Sequence, residues 1–299
     1  MVGALLLAVV CAASVPVASG AAPAESHSWL RNPGMVAHAM GGLRIGSRVY
    51  TYTDSLQAFQ QNYAKGYRIF EVDLIPTSDN RLVARHDWTS GSFTSLGQTY
   101  PGHVPTHSVF MKTKILKSYT PLDIEAIAQL MRTHPDMYII TDTKGETKTA
   151  VRNEMQLLRK GLGPDRDALS QRVIVQIYSQ PMLEWVGEIY RFPNIIFTLY
   201  KLPSTAGAVD FAKANRIPVI VYDTTRWSLA FAAQIRAAGI ASALHTVNSS
   251  STAATLRKYH VRYIYTDALP SGTLTSTTAL APSKVTIVPT HMKLGKHGD

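Results

Sequence analysis

Downstream of residue 30, short apolar runs rich in β-branched residues alternate with longer segments whose apolar positions recur at helical spacing. The runs Met35–Ala39, Ile69–Leu74, Met137–Asp142 and Val173–Ile177 read as strands, followed by Ile195–Leu199, Pro218–Tyr222, Ser242–Val247 and Tyr263–Asp267. Between them, Ser55–Lys65, Leu122–Thr133, Ala150–Lys160, Pro181–Tyr190, Ala206–Asn215, Leu229–Ala238 and Thr252–Tyr259 read as amphipathic helices. Strands that are almost continuously apolar belong to a parallel sheet covered on both faces. Eight such units over roughly 240 residues match an α/β (β/α)8 TIM barrel. An open doubly wound sheet is the alternative arrangement.

One apolar run breaks the alternation. Leu82–His86 follows the second strand after only PTSDNR, too short for a parallel crossover, so it must fold back antiparallel as a β-hairpin extension. A turn centred on Ser78 and Asp79 pairs residues with position sums near 157 and returns His86 to the neighbourhood of Glu71. Asp79-Asn80 suits the turn, since Asn tolerates positive φ. The long loop after it, Thr89–Ser118, is rich in Gly, Ser, Thr and His and has the length of a lid or binding element. The expected organisation is a signal peptide at 1–22, a barrel domain at 30–270 and a polar tail at 271–299.

Composition narrows the class. The 299 residues are 45% hydrophobic and 17% charged, the profile of a folded globular chain. The leader MVGALLLAVVCAASVPVASGAAPAES joins an apolar run to small residues and predicts cleavage near Ser19 to Ala22, hence a secreted or cell-envelope protein. Cys11, the single cysteine, lies inside that leader. A processed chain then has no thiol, which excludes disulfides, cysteine nucleophiles and Cys-zinc sites. Lipidation of Cys11 is the alternative, with Val10 a poor residue before such a cleavage. The net charge of +10 favours anionic partners such as a phosphorylated small molecule or an anionic membrane surface, or serves solubility alone. No basic run interleaved with aromatics points to nucleic acid, and a monomer is expected.

In a barrel of this kind the chemistry lies at the C-terminal ends of the strands. His38, Glu71, Asp73, Asp142, Lys144, Gln176, Asp223, Thr246, Asn248 and Asp267 occupy those ends. Glu71 and Asp73 stand out, because in IFEVDLI a spacing of two puts both on one face of an apolar strand. Two adjacent buried carboxylates repel each other and lose hydration, and a divalent cation offsets both costs. With Asp142 as a third oxygen ligand the expected cation is Mg2+ or Ca2+. Salt bridges to Lys144 or Arg68 are the alternative account. His38 and His86, two imidazoles converging on that cluster, suit the acid and base of phosphodiester hydrolysis. Gly41, beside Gly42, allows backbone to approach a phosphate. Lys144 either neutralises phosphate or pairs with Asp142. Trp88 either walls the site or packs. His103 and His107, in the candidate lid, either contact substrate or are solvated loop residues, the second being the expectation, and His245 is expected to be half-buried structure.

These residues resemble the glycerophosphodiester phosphodiesterase family, within the phosphatidylinositol-phospholipase-C-like barrels. The resemblance rests on VAHAMGG, TDSLQAF, GYRIFEVDLIPTSDNRLVARHDW, YIITDTK, VIVQIY, HTVN and YIYTD, from His38 to Asp267. It implies His38 and His86 as the acid–base pair and Glu71, Asp73 and Asp142 as metal ligands. It also implies Lys144 near phosphate and Asn248 in a substrate-side segment. Three positions depart from the family pattern: Ala39-Met40 follows His38 where Arg-Gly is usual, Asp54 replaces Asn, and His245 replaces Trp. The implied activity is hydrolysis of deacylated phospholipids. A phospholipase C or D-like attack on intact headgroups and a catalytically impaired binding protein are the rival classes.

Overall fold

The computed structural model describes residues 28–31, 34–273 and 286–288; the leader with Cys11 lies outside them. The strands are β1 (Gly34–Ala37), β2 (Leu43–Ile45), β3 (Arg48–Tyr50), β4 (Ile69–Pro76), β5 (Leu82–Ala84) and β6 (Tyr138–Thr143). There follow β7 (Val173–Ile177), β8 (Asn194–Thr198), β9 (Val219–Asp223), β10 (Ala241–His245), β11 (Tyr263–Thr266) and β12 (Thr286–Val288). β1, β4, β6, β7, β8, β9, β10 and β11 pair in parallel in that order, and β11 returns to β1, closing the barrel. All eight predicted strands are present, and closure excludes the open sheet.

The helices are α1 (Leu56–Ala64), α2 (Ser90–Ser95), α3 (His107–Lys112), α4 (Ile124–Thr133) and α5 (Lys148–Gly161), then α6 (Arg166–Ser170), α7 (Gln180–Gly187), α8 (Ala208–Ala214), α9 (Leu229–Ala237) and α10 (Ser250–Lys258). Side chains fix several starts: Ser55, Asp123, Thr147, Ser228 and Ser249 each accept a backbone N–H of the first turn. Among the described residues no helix is long and apolar enough to cross a membrane.

Two apolar layers result. The outer one packs Phe70, Val72, Ile139, Val175 and Phe197 against helix residues such as Phe59, Ile127 and Met155. The inner one fills the barrel with Val36, Ile69, Ile140, Ile174, Ile196 and Val221. Trp29 plugs the end where the strands begin, its indole N–H donating to Asn194 Oδ1 at 3.0 Å.

The hairpin predicted after the second barrel strand exists, with Asn80 at φ +56°. Its register differs by one residue from the expected sum, because Leu74 pairs with Ala84 and Pro76 with Leu82. Arg85 N–H consequently donates to Asp73 O at 2.9 Å, which still carries His86 back to the acidic strand. A second hairpin, β2–β3, follows β1, and β12 adds in parallel to β3. That last strand falls within the stretch expected to be a polar tail.

Thr89–Ser118 folds around its own small core rather than as an irregular loop. Phe93, Leu96, Phe110 and Ile115 are buried there. Arg85 reaches in from the hairpin, donating to Gln98 Oε1 at 2.8 Å and Ser92 Oγ at 3.1 Å, with its guanidinium 4.1 Å from the Phe93 ring centroid.

Candidate active site

Strand alternation decides what faces the barrel axis. Counting upward from the apolar inner residues, β4 runs Ile69, Glu71, Asp73 and β6 runs Tyr138, Ile140, Asp142. By the same parity β8 carries Ile196 and Thr198, β10 carries Ala243 and His245, and Tyr265 on β11 leads to Asp267 just past it. One period of two therefore produces a greasy lower half and a polar mouth.

At that mouth Asp73 and Asp142 are register partners on neighbouring strands. Ligand oxygens of Glu71, Asp73 and Asp142 all lie within 4.8 Å of one another. Asp73 Oδ2 is buried with no hydrogen-bond partner among the described residues. An all-carboxylate set with an orphaned buried oxygen fits a hard divalent cation. Lys144 meets the same cluster, its Nζ 2.5 Å from Asp73 Oδ1 and 2.6 Å from Asp142 Oδ2. Tyr178 O–H donates to Asp142 and receives a hydrogen bond from Gln176 Nε2 at 2.9 Å.

Electrostatics divide the acids. Burial and the neighbouring Asp73 raise the Glu71 carboxyl to about 8, against the opposing pull of His38. Burial also works against ionised Asp73, but Lys144 and His86 outweigh it and hold Asp73 well below the usual carboxylate range. Two like charges this close do not ionise independently, and the lysine selects which one does.

His38 sits in a three-residue turn, His38–Met40, rather than on the predicted strand. Ala39 and Met40 there adopt φ of +50° and +64°, left-handed values that cost a non-glycine residue. The turn aims the Ala39 N–H at Glu71 Oε2, 2.6 Å away. The ring Nδ1 of His38 lies 2.9 Å from Asp267 Oδ1 and its Nε2 lies 4.0 Å from Glu71. Burial pushes this imidazole down, but Asp267 together with Glu71 and Asp73 overcomes it and lifts the group to about 9.

His86, half-buried, bonds Asp87 Oδ2 through Nδ1 at 2.8 Å. Between the imidazoles stands Tyr52, its ring centroid 4.7 Å from His38 and 5.0 Å from His86, edge-on to both. The two histidines therefore converge on one ring beside the acids.

Other predicted residues have different surroundings. Asn248 holds Asp267 rather than facing open space: its Nδ2 donates to Asp267 Oδ2 at 2.7 Å and its Oδ1 accepts from the Asp267 N–H at 2.8 Å. A Cβ on Gly41 would meet Asn62 Nδ2 at 2.3 Å, so packing against Asn62 accounts for that glycine. Trp88 donates to Pro76 O at 3.0 Å and packs edge-on against Phe110, in the core of the 89–118 segment rather than at the mouth. His107 pairs with Asp123 at 2.8 Å. Trp88 is thereby assigned to packing, of the two readings open to it.

Sequence reasoning gave no role to Tyr52, Asp54, Asp267 or Tyr178. Asp54 is fully buried, accepts the Asp73 N–H at 3.3 Å, and is raised well above its ordinary range by burial and by Asp73 and Glu71. The run TYTDS, polar yet inside the matching segment, was the available signal.

The mouth of a closed barrel thus gathers three clustered carboxylates and two imidazoles. The chain belongs to the glycerophosphoryl diester phosphodiesterase family, whose model matches residues 46–270. No curated protein matches it significantly in sequence. Among solved structures, a glycerophosphodiester phosphodiesterase from Parabacteroides distasonis is 16% identical with a TM-score of 0.64, covering 82% of this chain and 96% of that one. A phosphodiesterase from Oleispira antarctica, in complex with the product sn-glycerol-3-phosphate, is 14% identical with a TM-score of 0.62, covering 81% and 95%. One from Thermotoga maritima is 15% identical with a TM-score of 0.58, covering 78% and 93%. At these identities the structures establish the shared barrel.

Proposed function

We propose that this chain hydrolyses glycerophosphodiesters to an alcohol and a glycerol phosphate, with His38 and His86 as its proton-transferring groups. The observation that carries the reading is the placement of both imidazoles against Tyr52, beside the Glu71–Asp73–Asp142 cluster, in a barrel of this family. Those three carboxylates would hold a divalent cation, Mg2+ or Ca2+, which when bound supplies Lewis-acid neutralisation of phosphoryl charge. Asp267 keeps the His38 ring oriented and favours its protonated form, which suits donation to the leaving alkoxide. His86, oriented by Asp87, takes the proton of the attacking oxygen. Lys144 holds the two aspartates in register and brings a positive charge to the rim where phosphate would bind.

The test is turnover of glycerophosphocholine and of intact phosphatidylcholine with Mg2+, with Ca2+ and with chelator. The expected result is cation-dependent release of glycerol phosphate from the deacylated substrate. Full activity in thoroughly chelated protein, or attack on the intact lipid alone, overturns the reading.

A further inference from the structure

Most polar groups that line the mouth are engaged with one another. His38 has Asp267, Glu71 has the Ala39 N–H, and Gln176 joins Tyr178 to Tyr265. Two are not. Thr198 Oγ1 and His245 Nε2 are buried and have no hydrogen-bond partner among the described residues. Thr198 is 1% exposed, at the top of β8, and His245 ends β10. Both line one cavity of about 40 Å³, whose wall also includes Glu71, Asp142 and His38.

We infer that this cavity is a subsite for a hydroxyl-bearing carbon of the substrate, with Thr198 and His245 as its specificity-determining residues. The inference rests on the reading given under Proposed function and says which half of the diester is recognised. Three features lead to it. The volume suits a small group of a few atoms, since about 10–15 Å³ of such space holds one water. The lining presents a hydroxyl and an imidazole nitrogen, and a ligand hydroxyl both donates and accepts, so it serves both whichever tautomer the ring adopts. An ammonium only donates and a carboxylate only accepts. The cavity also adjoins the acids and His38, so a group seated there lies a bond or two from the phosphoester oxygen, as the hydroxyl-bearing carbons of glycerol do. The polyol side of the diester is read at this point, and the variable alcohol leaves toward the open mouth.

The experiment is calorimetry in the presence of Mg2+ or Ca2+ with sn-glycerol 3-phosphate and propyl phosphate, which share phosphate and a three-carbon chain and differ in two hydroxyls. The wild-type protein is expected to prefer the glycerol compound by at least about tenfold, near the low end of what leaving a buried polar group unpaired costs. Thr198→Val and His245→Phe should each reduce that preference to about threefold or less and leave propyl phosphate binding nearly unchanged. Thr198→Ser, which retains the hydroxyl, should keep the preference and so separates lost recognition from a damaged fold. Equal affinities in the wild type, or variants that weaken both ligands alike, overturn the subsite. Hydrolysis of glycerophosphocholine by the same wild-type preparation keeps the two ideas apart: turnover without preference overturns the subsite alone, and absence of turnover overturns the function and the subsite with it.

Discussion

The two ends of the barrel interior are built from the same strands with the same alternation, yet they do opposite work. At the lower end Val36, Ile69, Ile174 and Val219 pack against one another under Trp29. Two residues further along, the same inward-facing positions bring Glu71 and Gln176, with His38 just past the end of β1, and around the ring Asp142, Thr198 and His245 complete a polar mouth. The lower end gains stability from apolar burial and can do no chemistry. The upper end holds carboxylates that oppose one another and a strained turn at Ala39–Met40, and is tolerated because the lower end fixes the strands. Function and stability are thus separated along the barrel axis by one two-residue step of the strand alternation.

Mutations can break that separation. The largest effect is expected at the histidines: His38→Ala and His86→Ala should each lower kcat by about 10²- to 10⁴-fold with an unchanged circular-dichroism melt. Retention of most activity in either variant removes the acid–base assignment. Asp267→Asn, which leaves the His38 ring without its anionic partner, should cost about ten- to a hundredfold in kcat, with KM much less affected. A change confined to KM would show that Asp267 does not orient this ring.

At the other end the prediction inverts. Trp29→Ala removes the plug and leaves buried Asn194 Oδ1 without its donor, and should cost about 3–5 kcal/mol in denaturant unfolding with kcat unaltered. A loss of kcat without loss of stability would contradict the division between the ends.

The smallest expected effect concerns Glu154 on α5, which sits under the mouth and accepts the Gly145 N–H at 3.0 Å. Burial raises its carboxyl to about 7 from the usual 4.5. Because the folded state holds this proton more tightly than the unfolded chain, the associated stability is complete below pH 4.5. It is lost as pH rises through 7. Comparing melts of the wild type and Glu154→Gln across that window should show the variant less pH-dependent, by at most about 1.4 kcal/mol per pH unit. Parallel profiles would show that Glu154 titrates normally.

Much of this was legible because apolar runs and a two-residue spacing are local signals. IFEVDLI announced both its strand and its paired acids, and the register of β4 with β6, which no local pattern specified, brings Asp142 level with Asp73. The β2–β3 hairpin escaped because its strands have three residues each, too short for alternation to register. Gly46-Ser47, between Leu43–Ile45 and Arg48–Tyr50, was the only sign of a turn. Asp267 was visible at a strand end, but its partner is 229 residues away and no local pattern links them. Tyr52 and Asp54 depend on φ values of +54° and +43°, which periodicity does not encode. Trp88 was adjacent to His86, but its indole packs on Phe93 and Phe110 and donates to Pro76 O, contacts that sequence adjacency does not encode.

Arg85 gives the 89–118 segment a consequence for engineering. The residue that precedes His86 is rooted in that segment through Gln98 and Ser92, so the excursion acts as a foundation for one of the two imidazoles. Trimming it to make a minimal barrel would release the hairpin that presents His86, and transplanting His86 onto a shorter scaffold would require a new anchor for the guanidinium beside it.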